Sequence, residues 1–288
     1  WRRETVGWNL RAAGRDPAVP PVVRQKSVHA GKPVMWKRLF VAAMLLNPNG
    51  LAVAADLSAA DVLRAIESGQ RFLVSRQRPN GSWSSDEDGG DGSHVIGVTS
   101  ITLLSLLNSG LTFRDPPVRK ALGYLRSRPA GEPNQTYDVA LTIMALAAAK
   151  DPTHSDEARI ATLAQWLESA QVTGGPFAGG WSYGQQALGG DPSNAQFAIL
   201  GLHEASEAAV IVDRQVWERA RSYWEGRQNP AGGWSYSGQG GGSTGSRTVA
   251  GLASLTIIEQ QLRSDKGVAP DGTPPCCSDP RNGHPCHA

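Results

Sequence analysis

Cysteine is absent from the first 275 of the chain's 288 residues, and the three that occur (Cys276, Cys277 and Cys286) sit together in a Pro- and Gly-rich tail. That excludes a disulfide framework or a thiolate nucleophile in the body of the chain, so a domain there must be held by its hydrophobic core. His284 and His287 lie beside the tail cysteines, but their spacing fits no standard zinc pattern. Composition reads residues 265–288 as a disordered end. Long apolar runs are scarce as well. The stretch at residues 39–46 is eight residues long, where a membrane-crossing helix needs roughly 20. No transmembrane span is expected.

Positive charge is missing where a nucleic-acid binder would need it. Residues 1–55 hold nine Lys and Arg against two Asp and Glu, a balance of +7, whereas residues 56–288 hold nineteen against twenty-four, a balance of −5. The body is mildly acidic and lacks a basic stripe, so nucleic acid is not an expected partner. Residues 1–34 begin without Met, show no sustained period and read as an upstream or disordered segment. From Met35 the pattern is that of a secretory signal: Lys37 and Arg38, the apolar residues 39–46, a helix-breaking Asn47-Pro48-Asn49-Gly50, and small residues up to Ala55. Residues 35–55 are expected to direct export to the periplasm or beyond the cell, leaving residues 56–264 as the folded part.

What the body has is a repeat. Residues 69–83 place Phe72-Leu73, Gln77, Gly81 and Trp83 in a fixed order; Trp166-Leu167, Gln171, Gly179-Gly180 and Trp181 repeat it with a longer loop, and Tyr223-Trp224, Gln228, Gly232-Gly233 and Trp234 repeat it again. A degraded copy keeps Tyr124-Leu125 but has Arg128-Pro129-Ala130-Gly131 where the Gln and the Gly-x-Trp should stand. The aromatic anchors at 72, 124, 166 and 223 give a period of roughly forty to fifty-seven residues, as in arrays of paired elements. Each copy closes an amphipathic helix (Val62, Ala65, Ile66, Gly69, Phe72 and Leu73 in the first) and then turns at a Gly. The Trp is suited to plug the seam between neighbouring helices, and the Gln to satisfy free backbone groups at a helix end. We read this as a fastening between units.

A second helix follows each fastening, apolar nearly all round and rich in Ala and Gly, as buried helices are. Aligned as blocks ending at Leu107, Leu146, Leu202 and Leu255, these helices start at Thr99, Asp138, Asn194 and Arg247. The first helix of each pair carries a charged face, for example Arg219, Arg221 and Glu225. Outer amphipathic helices around inner buried ones make an all-α protein of about four helical hairpins.

The pattern Gly-x-x-Phe-Leu-x-x-x-Gln-x-x-x-Gly-x-Trp of residues 69–83 resembles the QW motif of squalene–hopene and oxidosqualene cyclases, whose α/α toroid is shared by the β subunits of protein prenyltransferases. The resemblance covers about residues 60–262 and implies concentric helical hairpins. Four hairpins are fewer than that family's closed rings use, so an incomplete ring is expected, finished by a missing C-terminal region or by another copy. The family's chemistry does not carry over residue by residue. Cyclases of this kind protonate their substrate with Asp-x-Asp-Asp, which does not occur here, and the prenyltransferase zinc site needs a Cys that the repeats lack. No catalytic residue, no metal ligand and no cofactor is therefore assigned. The acidic residues 86–92 alternate Asp with Gly, which admits Ca²⁺, but lack the Glu that an EF-hand requires. His94, His154 and His203 show no partner spacing and read as surface or loop residues.

The remaining candidates are positional. If the inner helices run parallel around a lumen, Thr99, Asp138, Asn194 and Arg247 share one level near one mouth. Asp138 and Arg247 there suit a polar head group, and Phe197 suits an apolar chain or a cation. Against this stand helix capping by Asp138 and Asn194, and simple packing of Phe197. The expected function is binding of an isoprenoid, another lipid or a peptide on an apolar concave face. The alternatives are a truncated squalene–hopene cyclase-like isomerase and a structural interaction domain of a larger exported protein.

Overall fold

The structure, a computed structural model, describes residues 58–84, 94–153, 155–236 and 241–264. The expected leader, the acidic loop at residues 86–92, His154 and the cysteine-bearing tail all lie outside the described residues. Among the described residues the protein is all-α: α1 (Ala59–Ser75), α2 (Val95–Asn108), α3 (Pro116–Arg126), α4 (Thr136–Ala149), α5 (Glu157–Ala170), α6 (Pro192–Glu207), α7 (Arg214–Gly226) and α8 (Gly245–Ser264), with a short 3₁₀ turn at Gly175–Phe177. None of these helices is long and apolar enough to cross a membrane.

The helix starts are written locally. Ser58 and Asp61 form a capping box at α1, the Ser hydroxyl accepting from the Asp61 N–H at 3.1 Å and the Asp carboxylate from the Ser58 N–H at 3.2 Å. Asp191 caps α6 and Asp213 caps α7, each accepting from a backbone N–H two residues on at 2.8 Å. Pro116 and Pro192 open α3 and α6, where a missing N–H costs nothing.

Packing separates the helices into two sets. α2, α4, α6 and α8 pack on one another in that order, with α3 laid against α2, α5 against α4 and α6, and α7 against α8. Contacts rise together along α2 and α4 (Gly97 with Asp138, Ser100 with Thr142) and along α4 and α6 (Tyr137 with Phe197, Ala140 with Gly201), so these three run parallel. α4 is buried on all sides because its residues are almost entirely Val, Ala, Leu, Ile and Thr. The outer helices bury one face only, such as Val216, Trp217, Ala220, Tyr223 and Trp224 of α7. Small residues set the inner spacing: a Cβ on Gly201 would lie 2.8 Å from the Ala140 Cα. Trp181, Trp217, Trp224 and Trp234 are the largest fully buried side chains.

One helix departs from this scheme. No residue of α1 is buried, Leu73 alone of its apolar face packs partly on the core among the described residues, and Phe72 is 58% exposed, with the Arg76 guanidinium over its ring. Only the C-terminal end is anchored, by Gln70 to the Ser109 carbonyl at 2.9 Å and by the Trp83 indole to the Leu73 carbonyl at 2.7 Å.

Candidate functional site

The repeated motif positions everything else. In each copy the indole N–H donates to a carbonyl at the end of the preceding outer helix: Trp83 to Leu73 at 2.7 Å, Trp181 to Leu167 at 2.7 Å and Trp234 to Trp224 at 2.9 Å. The Gln amide donates twice. Gln77 reaches the Gly81 carbonyl at 3.0 Å and the Pro117 carbonyl of α3 at 2.8 Å, and Gln171 reaches the Gly179 carbonyl at 3.1 Å and the Val216 carbonyl of α7 at 3.0 Å. The second bond in each case crosses to the next outer helix, so the motif links successive units. The glycines answer two demands. Gly81 and Gly179 have φ of +91° and +86°, and a Cβ on either would stand 2.2 Å from the Lys120 carbonyl oxygen or 2.0 Å from that of Arg219.

At the degraded copy the link runs the other way. Arg128 stacks on Tyr124 with its guanidinium carbon 4.4 Å from the ring centre, while Arg159 of α5 reaches back to donate to the Pro129 carbonyl at 3.1 Å and to the Glu132 carbonyl. Beside it, Arg126 pairs with Asp156 at 2.7 Å and Asp151 at 3.0 Å, tying the end of α3 to the start of α5.

Above these fastenings, the N-terminal ends of the inner helices hold two chemically distinct places. In the first, the buried carboxyl of Asp138 on α4 lies 3.5 Å from Nδ1 of His94 at the start of α2. It occupies the space that Gly97 leaves, since a Cβ there would fall 2.1 Å from Oδ1. Burial pushes the Asp138 carboxyl above its ordinary range, opposed by His94. A cleft of about 450 Å³ opens in front of it, lined by Arg78, Asn80, Tyr124, Arg128, Glu132 and Asn134 among others.

The second place is aromatic. Tyr137 of α4 stacks obliquely on Phe197 of α6 at 4.8 Å and on Tyr183 at 6.1 Å. Burial raises the pKa of its hydroxyl, opposed by the nearby Ser193. Tyr236 stands under the Arg247 guanidinium of α8 at 4.8 Å, with the Asp191 carboxylate nearby. Tyr183 and Tyr236 are 55% and 53% exposed, and Tyr137 and Phe197 are half-buried. The Asp191 carboxylate is occupied by the Ser193 and Asn194 N–H groups and the Asn194 amide. Arg247 makes no ion pair among the described residues, and it lies in the first turn of α8, where the helix dipole disfavours a cation.

The five positional candidates fall into three roles. Asp138 lines the cleft and lies against His94, and it makes no pair with Arg247. Phe197 and Arg247 belong to the aromatic group. Asn194 does not cap α6; it is fully buried and donates at 2.6 Å to Asp191, the residue that does. Asp138 likewise makes no capping bond at α4, which starts from Gln135 without a side-chain cap. Thr99 is structural: its hydroxyl accepts from the Trp83 N–H at 3.0 Å and donates to the Trp83 carbonyl at 3.2 Å. Thr248 accepts from the Trp234 N–H in the same way at 3.3 Å. Thr99 is thus the counterpart of Thr248, one position off the block alignment that paired it with Arg247.

His94, read from sequence as an isolated surface residue, has a partner 44 residues away. His203 of α6 meets the Gln261 amide of α8 at 3.1 Å. The spacing Gly-x-Ser-x-Gly occurs at residues 241–245, but the Ser243 hydroxyl accepts from the Asn229 amide at 2.9 Å, and no strand among the described residues leads into it as a nucleophile elbow requires. Tyr183 and Tyr236 were missed, although Trp-Ser-Tyr stands at both 181–183 and 234–236. No protein-family model and no curated protein matches this chain.

Proposed function

We propose that this protein is a binding module for an amphipathic molecule, an isoprenoid or other lipid chain with an anionic end. The observation that carries the reading is the half-exposed aromatic group of Tyr137, Tyr183, Phe197 and Tyr236, with Arg247, which makes no ion pair among the described residues, at its edge. Aromatic faces hold an apolar chain, and a guanidinium without a carboxylate partner suits a carboxylate or phosphate. The resemblance of the repeats to cyclase and prenyltransferase toroids supports an isoprenoid, and the expected export leader suits a lipid carrier outside the cytoplasm. Titration with palmitate, farnesyl diphosphate and farnesol, followed by tyrosine fluorescence, tests this. Saturable binding of all three is expected. Tyr236→Ala should weaken all of them, and Arg247→Met only the two anions. Absence of saturable binding, or binding indifferent to both substitutions, refutes it.

A second reading, a cyclase-like isomerase, has one observation in its favour: Asp138 is a buried acid with a raised pKa at the head of a cleft. The cleft's Arg78, Arg128 and Glu132 suit a polar substrate, however, and not a triterpene. Conversion of squalene to a cyclised product by the wild-type protein, lost in Asp138→Asn, would favour this reading over binding alone.

A further inference from the structure

The third copy of the fastening has nothing to fasten. Gln228 donates to its own Gly232 carbonyl at 2.8 Å, but among the described residues it has no counterpart of the bonds that Gln77 and Gln171 make to the next outer helix. Gly232 has φ of +87° against +86° at Gly179, yet among the described residues no atom beyond its chain neighbours lies within 4 Å of where its Cβ would be. The surface that meets an outer helix at Gly81 and Gly179 is uncovered at Gly232 among the described residues. The inner row ends in the same way beside it, with Val249 and Leu252 of α8 65% and 55% exposed.

The complementary edge is at the other end of the array. Aligning Phe72-Leu73 with Tyr124-Leu125 and Tyr223-Trp224 puts Ala65 of α1 where Pro117 and Val216 offer their carbonyls, and Ser68 where Lys120 and Arg219 meet a glycine. No Gln reaches Ala65 among the described residues, and α1 is the outer helix with no buried residue. α2, the next helix in the chain, bares Ile101, which is 46% exposed. We propose that the α7–α8 edge of one molecule receives the α1–α2 edge of a second copy of this chain. Gln228 then donates to the Ala65 carbonyl, Gly232 lies against Ser68, and Val249 and Leu252 cover Ile101.

The two internal junctions are the argument for this occupant. The uncovered surface repeats a geometry that the chain already fills twice with its own outer helices, and α1 is the one whose matching surface is free among the described residues. Within residues 265–288, Pro270, Pro274, Pro275, Pro280 and Pro285 leave no proline-free run as long as the 11-residue α3, the shortest outer helix. The contact is head-to-tail, so it propagates until the rotation per copy closes a ring or an open array forms.

Sedimentation velocity of the full chain over a concentration series tests the proposal, using Leu252→Glu at one edge and Ile101→Glu at the other. Both side chains are exposed in the single chain, so folding is retained, which circular dichroism checks. Wild type is expected to self-associate, and each variant alone to associate at least about tenfold more weakly, since a charge would be buried in the contact. An equimolar mixture of the two variants should form a 1:1 heterodimer and stop there, because each supplies the edge that the other has lost. A wild type that is monomeric throughout overturns the proposal. Association unaffected by one of the two variants, or a mixture that stays monomeric, overturns the head-to-tail geometry.

Discussion

Gly179 and Gly232 occupy equivalent turns with φ of +86° and +87°, but only the first is pressed against a neighbouring helix. Alanine at either must adopt a left-handed backbone, at about 1–2 kcal/mol. At Gly179 the new Cβ would also meet the Arg219 carbonyl oxygen at 2.0 Å and its carbon at 2.6 Å, well inside any permitted contact. Backbone atoms in the middle of α7 cannot step aside, so α5 and α7 must separate and loosen the core around Trp181 and Trp217. Overpacking of that kind adds about 1–3 kcal/mol. Gly179→Ala is therefore expected to lie about 1–3 kcal/mol below Gly232→Ala, or roughly 2–12 °C in Tm for a domain of this size. Urea denaturation of both variants, at a protein concentration where sedimentation shows monomer, measures the difference directly. Equal destabilisation would mean that the motif glycine serves the turn alone, and the account of the fastening as a helix-to-helix contact would fall.

The glutamines should separate in the same way. Gln171→Ala strands the Gly179 and Val216 carbonyls and removes an acceptor 2.7 Å from the Arg219 Nε, so a loss of about 1–3 kcal/mol is expected in denaturant titration. Gln228→Ala, which gives up one exposed bond, should change monomer stability by no more than about 0.5 kcal/mol. For Asp138 the folded state holds its proton more tightly than the unfolded chain, so its contribution to stability is present at low pH. That contribution is lost as pH rises from the ordinary value of 3.8 through the raised folded value. Asp138→Asn should flatten the fall of stability with pH in that window; an unchanged slope would show that the carboxyl is not held in a buried environment.

The all-α class and the helices were legible from the chain because they rest on local rules. Apolar residues at helical spacing, Asp and Ser caps, and a Gly ahead of a Trp specify a helical hairpin wherever they occur. The inner helices could be told from the outer by composition alone, since α4 has no polar face to offer water. What the spacing could not give was the destination of each side chain. Gln77 and Gln171 were readable as caps, but their second acceptors lie 40 and 45 residues downstream on another helix. The block alignment placed Thr99 one residue out of step because apolar helices of similar composition slide past one another in a sequence comparison; the bond to Trp83 fixes the register.

The candidate sites depended on tertiary structure altogether. Sequence composition sets how many aromatic and charged groups a chain owns, and periodicity sets which face of a helix carries them. Tyr137, Tyr183, Phe197 and Tyr236 come from two helices and two loops, and they meet because parallel inner helices bring their N-terminal ends to one side. His94 and Asp138 meet because Gly97 leaves room for a carboxylate between α2 and α4. The exposed face of α1 is the converse case. Its pattern calls for burial, and a pattern expresses that demand whether or not a partner surface is present, so only tertiary packing shows that the described residues leave most of it unmet.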